Sequence, residues 1–401
     1  VTDQLWEVFS PGTSGGPDLG GGADGVDGAG QFVNDGRIST ANFVTQIWES
    51  ISSANLPDGN TGQLTWIPPL GEDAGRIIAT GSESGIGIIA FAFSDDLAET
   101  WTSAGDSGEN SFGVAAFDGT GRLPRNAGSN EGIVVVGETA GDFNTSSNLK
   151  RSTDRGESYG IIVSPNTDQH RDLIFAQPTV GAGQFVITNV SLGSPPDAQI
   201  RGIWTSPDGS TWTVRVTPAP IAFQEQWSSI AYSPSLNLYV AVTLGSVGLL
   251  DIMTSSDAIN WTLFASNMVL FPVQSLLWSE GQQKFVMITR DGGDIIYSNT
   301  SIDGINWEQH LVATTNDDTI VANDLVYAEN LSTYVISGER TTVGYRFSKF
   351  WVSQDAETWT EIARQPFFTT TAQLGSIIFA PEYTKFFAVE VSNQNVWRTT
   401  R

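Results

Sequence analysis

The sequence predicts an all-β fold, a seven-bladed β-propeller whose two chain ends complete one blade together. Three observations predict it. One motif, Ser-x-Asp followed by a turn and an aromatic residue, recurs six times at spacings of roughly 46 to 58 residues. The segments before the copies share one plan of short apolar runs divided by polar turns. The last repeat stops before its motif, and a matching remnant stands at the start of the chain.

The copies read SDDLAETW (94–101), STDRGESY (152–159), SPDGSTW (206–212), SSDAINW (255–261), SIDGINW (301–307) and SQDAETW (353–359). Their aspartates are Asp96, Asp154, Asp208, Asp257, Asp303 and Asp355, and their aromatics Trp101, Tyr159, Trp212, Trp261, Trp307 and Trp359. Upstream, SSIAYSPSLNLYVAVTL, QSLLWSEGQQKFVMITR, NDLVYAENLSTYVISGE and GSIIFAPEYTKFFAVEV align with one another. Their runs are rich in Val, Ile, Phe and Tyr and bounded by Gly, Ser, Asn and Asp, which is the composition of β-strands between turns. Each repeat therefore reads as four antiparallel strands with the Ser–Asp turn between the third and fourth. Four-stranded repeats of this period are propeller blades. An aspartate that accepts hydrogen bonds from N–H groups just after it fixes a tight turn, and a group repeated in every blade is structural rather than catalytic.

In order, residues 1–9 are expected to form the closing strand of the last blade, with Asp3 and Trp6 of VTDQLWEVF at motif positions. Residues 10–62 are an insertion. It holds a Gly/Asp-rich loop, GTSGGPDLGGGADGVDGAG, and a short amphipathic helix in FVTQIWESI, whose apolar face is Phe43, Val44, Ile47, Trp48 and Ile51, capped by Thr40 or Asn42. The blades follow at 63–110, 111–168, 169–220, 221–270, 271–318, 319–368 and 369–401, all within a single domain spanning 1–401.

Composition narrows the function. The chain has 19 Lys and Arg against 44 Asp and Glu, a net charge of −25, and this argues against nucleic acid and anionic membranes as partners. No cysteine is present, so disulfides, thiolate nucleophiles and zinc–thiolate sites are excluded. VTDQLWEVFS has neither the basic start nor the apolar run of a signal peptide, so synthesis in a cytoplasm is expected. His170 and His310 lie in different blades and build no metal site or triad. No cofactor is expected; DGVDG at 24–28 offers oxygen ligands for calcium without matching an EF-hand.

The motif resembles the Asp-box of sialidase-like (BNR) propellers, Ser-x-Asp-x-Gly-x-Thr-Trp. Residues 152–159 keep its spacing, residues 94–101 keep it with Ala98 at the glycine, and the other four copies are one residue shorter. The short form is similar to repeats of many bacteriophage virion proteins and extracellular propellers. The resemblance covers nearly all of the chain outside 7–62 and implies the propeller fold, with function left to the site. A sialidase would also carry a Phe/Tyr-Arg-Ile-Pro segment in its first blade, which is absent; GRLPR at 121–125 is a poor echo.

Function is expected on the face opposite the Ser–Asp turns, where long connections meet the central channel. Candidate ligand-binding residues there are Arg171, Asp172, Glu225, Trp227, Arg290, Asp324, Arg340 and Tyr345. Asp172, Glu225 and Asp324 stand at the expected starts of inner strands, and Trp227 offers a sugar-stacking surface. The arginines read more simply as surface salt bridges, and no catalytic residue is assigned. The expected function is a non-catalytic phage virion component, such as a tail-fibre, tail-tip or capsid-appendage protein. Its expected partners are other virion proteins or further copies of itself through 7–62, with a host-surface glycan as ligand. The alternatives are a glycoside hydrolase or polysaccharide depolymerase and, in a third class, a cellular assembly or adhesion factor.

Overall fold

The computed structural model describes residues 48–51, 56–57, 61–69, 74–81, 91–104, 111–118, 132–140, 149–162, 169–178, 182–190, 202–218, 227–243, 250–265, 272–291, 295–314, 319–342, 345–362, 374–390 and 395–399. They form seven four-stranded antiparallel sheets, the blades of a propeller. The chain begins its described course with β1 (Trp48–Ile51). Blade 1 is β2 (Thr61–Ile67), β3 (Arg76–Gly81), β4 (Phe91–Ser94) and β5 (Thr102–Ser103). Blade 2 is β6 (Ser111–Phe117), β7 (Val134–Ala140), β8 (Leu149–Ser152) and β9 (Gly160–Ile162). Blade 3 is β10 (Gln169–Ala176), β11 (Gln184–Val190), β12 (Ile203–Ser206) and β13 (Thr213–Arg215). Blade 4 is β14 (Trp227–Ser233), β15 (Leu238–Thr243), β16 (Asp251–Ser255) and β17 (Thr262–Ala265). Blade 5 is β18 (Val273–Ser279), β19 (Lys284–Arg290), β20 (Ile295–Ser301) and β21 (Glu308–Thr314). Blade 6 is β22 (Thr319–Ala328), β23 (Thr333–Thr342), β24 (Tyr345–Ser353) and β25 (Thr360–Ile362). Blade 7 joins β26 (Leu374–Ala380), β27 (Lys385–Glu390) and β28 (Asn395–Thr399) to β1.

That last pairing corrects the expected closure. The strand that completes blade 7 is Trp48–Ile51, not residues 1–9, and it lies where the sequence suggested a helix over 43–51. Residues 1–47, including Asp3, Trp6 and DGVDG, fall outside the described residues. The misreading has a physical source. Trp48 and Ile51 are three apart, which suits a helix face, but their burial is satisfied by a partner strand some 350 positions away. Trp48 stacks on Phe350 of blade 6 with ring centroids 5.0 Å apart. Glu49 pairs with Arg398 at 2.6 Å, and Arg398 also reaches Glu99 and the Leu97 carbonyl of blade 1. One arginine thus holds the closing strand and the blade beyond it.

The six Ser–Asp turns share one construction. In the third copy, Asp208 Oδ1 accepts the N–H groups of Ser210 and Thr211, both at 2.9 Å, and Oδ2 accepts the Ser210 hydroxyl. The motif serine points back into the turn: the Ser353 hydroxyl donates to Asp355 and accepts the Ala356 N–H. The aromatic closes the device in three copies, where Trp212, Trp307 and Trp359 donate their indole N–H to the carbonyls of Gly209, Gly304 and Ala356. The longer copies need two consecutive left-handed residues, Leu97–Ala98 and Arg155–Gly156, and the shorter ones need one. Gly304 is such a position at φ +72°, and a Cβ there would lie 2.5 Å from Val240 of blade 4.

Each turn is also reached from the blade before it. Arg76 of blade 1 donates to the Arg155 carbonyl of blade 2, and Arg151 of blade 2 to the Asp208 carbonyl of blade 3. Gln184 of blade 3 reaches the Asp257 carbonyl, and Lys284 of blade 5 the Asp355 carbonyl. With Arg398, five of the seven junctions carry this tie among the described residues. Between blades 4 and 5 it is replaced by apolar packing of Leu238 and Val240 under Gly304. The core follows the same logic, because each of its seven clusters lies between two neighbouring blades. A blade alone would expose both faces, so the ring folds as a unit.

Burial pushes the Asp208 carboxyl up, but the N–H groups of Thr211 and Ser210 and the hydroxyls of Ser210 and Ser206 outweigh it and hold it at about 2. Its stabilising contribution is present above the ordinary 3.8 and is lost as pH falls toward about 2. Asp208→Ala is expected to lower urea stability by about 1–3 kcal/mol at neutral pH and to remove that acid-limb slope. Trp48→Ala is expected to cost about 3–5 kcal/mol in the same measurement, and an unchanged midpoint would contradict the closing strand.

Candidate functional site in the central channel

The channel is built from one local irregularity repeated around the ring. Every inner strand departs from regular pairing near its start, at Gly62, Gly113, Arg171, Ser228, Gln274, Asn323 and Gly375. A bulge leaves a residue unpaired and turns it off the ladder. Six of these seven, all but Gly62, line a cavity of about 490 Å³ at the centre of the ring. It is also lined by Gln63, Asp172, Ser229, Ser275, Asp324 and Ser376, with Leu173, Leu276 and Leu325 deeper along the strands.

The polar residue after the bulge reaches across to the next blade in three places. Gln63 Oε1 accepts the Ala115 N–H at 2.8 Å. Asp172 Oδ2 accepts the Ile230 N–H at 2.9 Å and the Ser229 hydroxyl at 2.8 Å. Asp324 Oδ2 accepts the Ile377 N–H and the Ser376 hydroxyl, each at 3.0 Å. The other oxygen of each aspartate accepts the N–H of the residue that follows it, Leu173 or Leu325. Burial dominates the acidity of both groups. It raises Asp172 above the usual carboxylate range and Asp324 to about 6, against the pull of these donors, and Asp172 adds a small raising charge at Asp324.

The other candidates are placed as follows. Arg171 is exposed at the channel wall beside Asp172. Arg290 stands at the end of β19, its backbone N–H on the Pro272 carbonyl next to Gln274, and its buried Nε has no hydrogen-bond partner. Arg340 on β23 pairs at 2.7 Å with Glu361 on β25, a carboxylate shared with Lys349 on β24. Trp227 is 0 % exposed in the cluster between blades 3 and 4, so the expected sugar-stacking surface is corrected: its ring is core. Glu225 and the Tyr345 side chain fall outside the described residues. His170 is buried edge-on against Trp204, and His310 on β21 meets the Thr300 hydroxyl of β20. The channel residues Ser228, Gln274 and Asn323 went unnoticed in the sequence. Their signal is positional, one residue before the equivalents of Asp172, and carries no chemical motif.

No family model and no curated protein matches the chain. Solved structures match its fold. It is similar to a GH74 xyloglucanase from Xanthomonas campestris at TM-score 0.63 and 13% identity, over 88% of this chain and 53% of that one. It is also similar to the Cps50 (Swd1) β-propeller domain of Myceliophteria thermophila, at 0.57 and 11%, over 87% and 98% of the two chains. The Dos1 propeller matches at 0.53 and 12%, over 92% and 97%. The chain spans about half the length of the xyloglucanase. These likenesses establish a seven-bladed β-propeller and, at such identities, nothing finer.

Asp324 binds a proton more tightly in the folded chain than its ordinary 3.8 allows, so its contribution to stability is greatest below that value and is lost as pH rises toward about 6. The stability difference between wild type and Asp324→Asn should therefore shift against wild type as pH rises from about 4 to about 6. Chemical denaturation across that window checks it, and a pH-independent difference would contradict the raised pKa.

Proposed function

We propose that the protein is a non-catalytic propeller, a binding and structural component of a phage virion whose channel face meets a host-surface glycan. The observation that carries the non-catalytic part is the matching engagement of Asp172 and Asp324. Each accepts an amide and a serine hydroxyl from the next blade and a third N–H from its own strand. A general acid or nucleophile must turn toward substrate, and two groups used alike at equivalent places in the ring are architectural. Among the described residues, the burial of Trp227 and the pairing of Arg340 leave no aromatic platform or arginine cluster assembled at the channel. The virion assignment draws on the short form of the repeat. With it go assembly through 7–62, with other virion proteins or further copies of the chain, and a place on the assembled particle.

A second reading, a glycoside hydrolase or polysaccharide depolymerase, is favoured by the likeness to the xyloglucanase and by an Asp324 carboxyl held at about 6, where an acid catalyst would sit. A reducing-end assay over host-type surface polysaccharides and xyloglucan separates the two. Release at the buffer baseline, with the protein found by mass spectrometry in purified particles, is the expected result. Release that Asp172→Asn or Asp324→Asn abolishes while the fold persists would overturn the proposal in favour of the hydrolase.

A further inference from the structure

The seven bulge positions around the channel are not alike. In blades 7, 1 and 2, which are consecutive, they are Gly375, Gly62 and Gly113. In blades 3 to 6 they are Arg171, Ser228, Gln274 and Asn323. Among the described residues, the bulge positions around the mouth therefore divide into a glycine half and a crescent of polar side chains.

The hydrogen-bonding state of that crescent defines what would complete it. Asn323 donates its amide to the Leu374 carbonyl, and Gln274 donates its amide to the Pro272 carbonyl. The donor side of each is engaged, while its carbonyl oxygen has no hydrogen bond with a described residue. These two positions therefore call for donors, such as hydroxyl groups. Ser228 reaches the Val242 carbonyl at 3.4 Å and keeps its own lone pairs. Arg171 is the opposite case, with donors only. It makes no hydrogen bond or ion pair with a described residue, although Arg76, Lys284, Arg340, Lys349 and Arg398 are all paired with carboxylates. Asp172, its neighbour in sequence, directs its bonds to the ring instead. An exposed guanidinium with no carboxylate partner among the described residues is placed to receive an anion from outside. Among the described residues no aromatic lines the cavity, so the contacts they offer a ligand are polar rather than stacking. The volume of about 490 Å³ lies within the range of small-molecule sites.

We propose that the channel mouth binds a uronic-acid residue, with its carboxylate on Arg171, its hydroxyls on the carbonyl oxygens of Gln274 and Asn323 and on Ser228, and its body in the glycine half. The inference rests on the reading of the protein as a glycan-binding propeller and specifies the class of sugar.

Calorimetric titration of the full chain with methyl glucuronide, methyl glucoside, a galacturonate oligosaccharide and acetate tests it. Glucuronide binding should exceed glucoside and acetate by about tenfold or more, because neither control has both the anion and the hydroxyls. Binding of the galacturonate oligosaccharide as well supports recognition through the carboxylate whatever the C4 configuration. Arg171→Gln should weaken glucuronide by about tenfold or more with an unchanged melting temperature, and Gln274→Ala provides the same test should the first variant not fold. Equal affinity for glucoside and glucuronide, or no effect of these substitutions, would overturn the site while leaving a glycan-binding propeller standing if other glycans bind. Absence of any saccharide binding together with release of reducing ends would overturn the underlying reading as well.

Discussion

The amide left over beside each inner-strand bulge is the constraint on which the rest of this structure depends. A bulge interrupts the ladder where the strand turns into the channel, and buried N–H groups there must find acceptors. At three junctions the acceptor is a side chain of the preceding blade: Gln63 for Ala115, Asp172 for Ile230 and Asp324 for Ile377. The ring is thereby stitched on its inner surface, while the ties to the Ser–Asp turns stitch it on one face. The apolar clusters between blades supply the bulk of the burial, and the polar contacts tie one blade to the next.

The same constraint shapes the channel. Residues pushed off the ladder by the bulges present their side chains to the cavity, so the bulge that creates a packing problem also creates a lining that the sequence can vary. Glycine at Gly113 and Gly375 leaves room, whereas Arg171, Ser228, Gln274 and Asn323 fill the opposite half with hydrogen-bonding groups. Carboxylates in a channel are easily taken for catalytic acids. Here their raised pKa values come first from burial, and their oxygens are directed into the ring.

Much of the fold is legible in the sequence because the Ser–Asp turn is local. Asp208 needs only Ser206, Ser210 and Thr211, so six copies announce themselves in strings of seven or eight letters. The closing strand is not local. Trp48 and Glu49 find Thr399 and Arg398 at the far end of the chain, and four residues are too few to separate strand period from helix period. At the site, the start of the inner strand placed Asp172 and Asp324 at the channel but said nothing of their partners. A signal was nevertheless present: RDLIF is followed one blade later by SSIAY, and NDLVY by GSIIF, so each aspartate faces a Ser-Ile pair. Trp227 misled because an aromatic beside an acid looks the same whether its ring meets solvent or the neighbouring blade.

Hydrogen exchange at the Ile230 and Ile377 amides tests most directly whether the channel carboxylates serve the architecture. In the native protein both amides should exchange only with global unfolding, because each is held by a carboxylate across a blade junction. Asp172→Ala should accelerate exchange at Ile230 alone, and Asp324→Ala at Ile377 alone. Rapid exchange of both amides in the wild-type protein, or protection that survives these substitutions, would contradict the account.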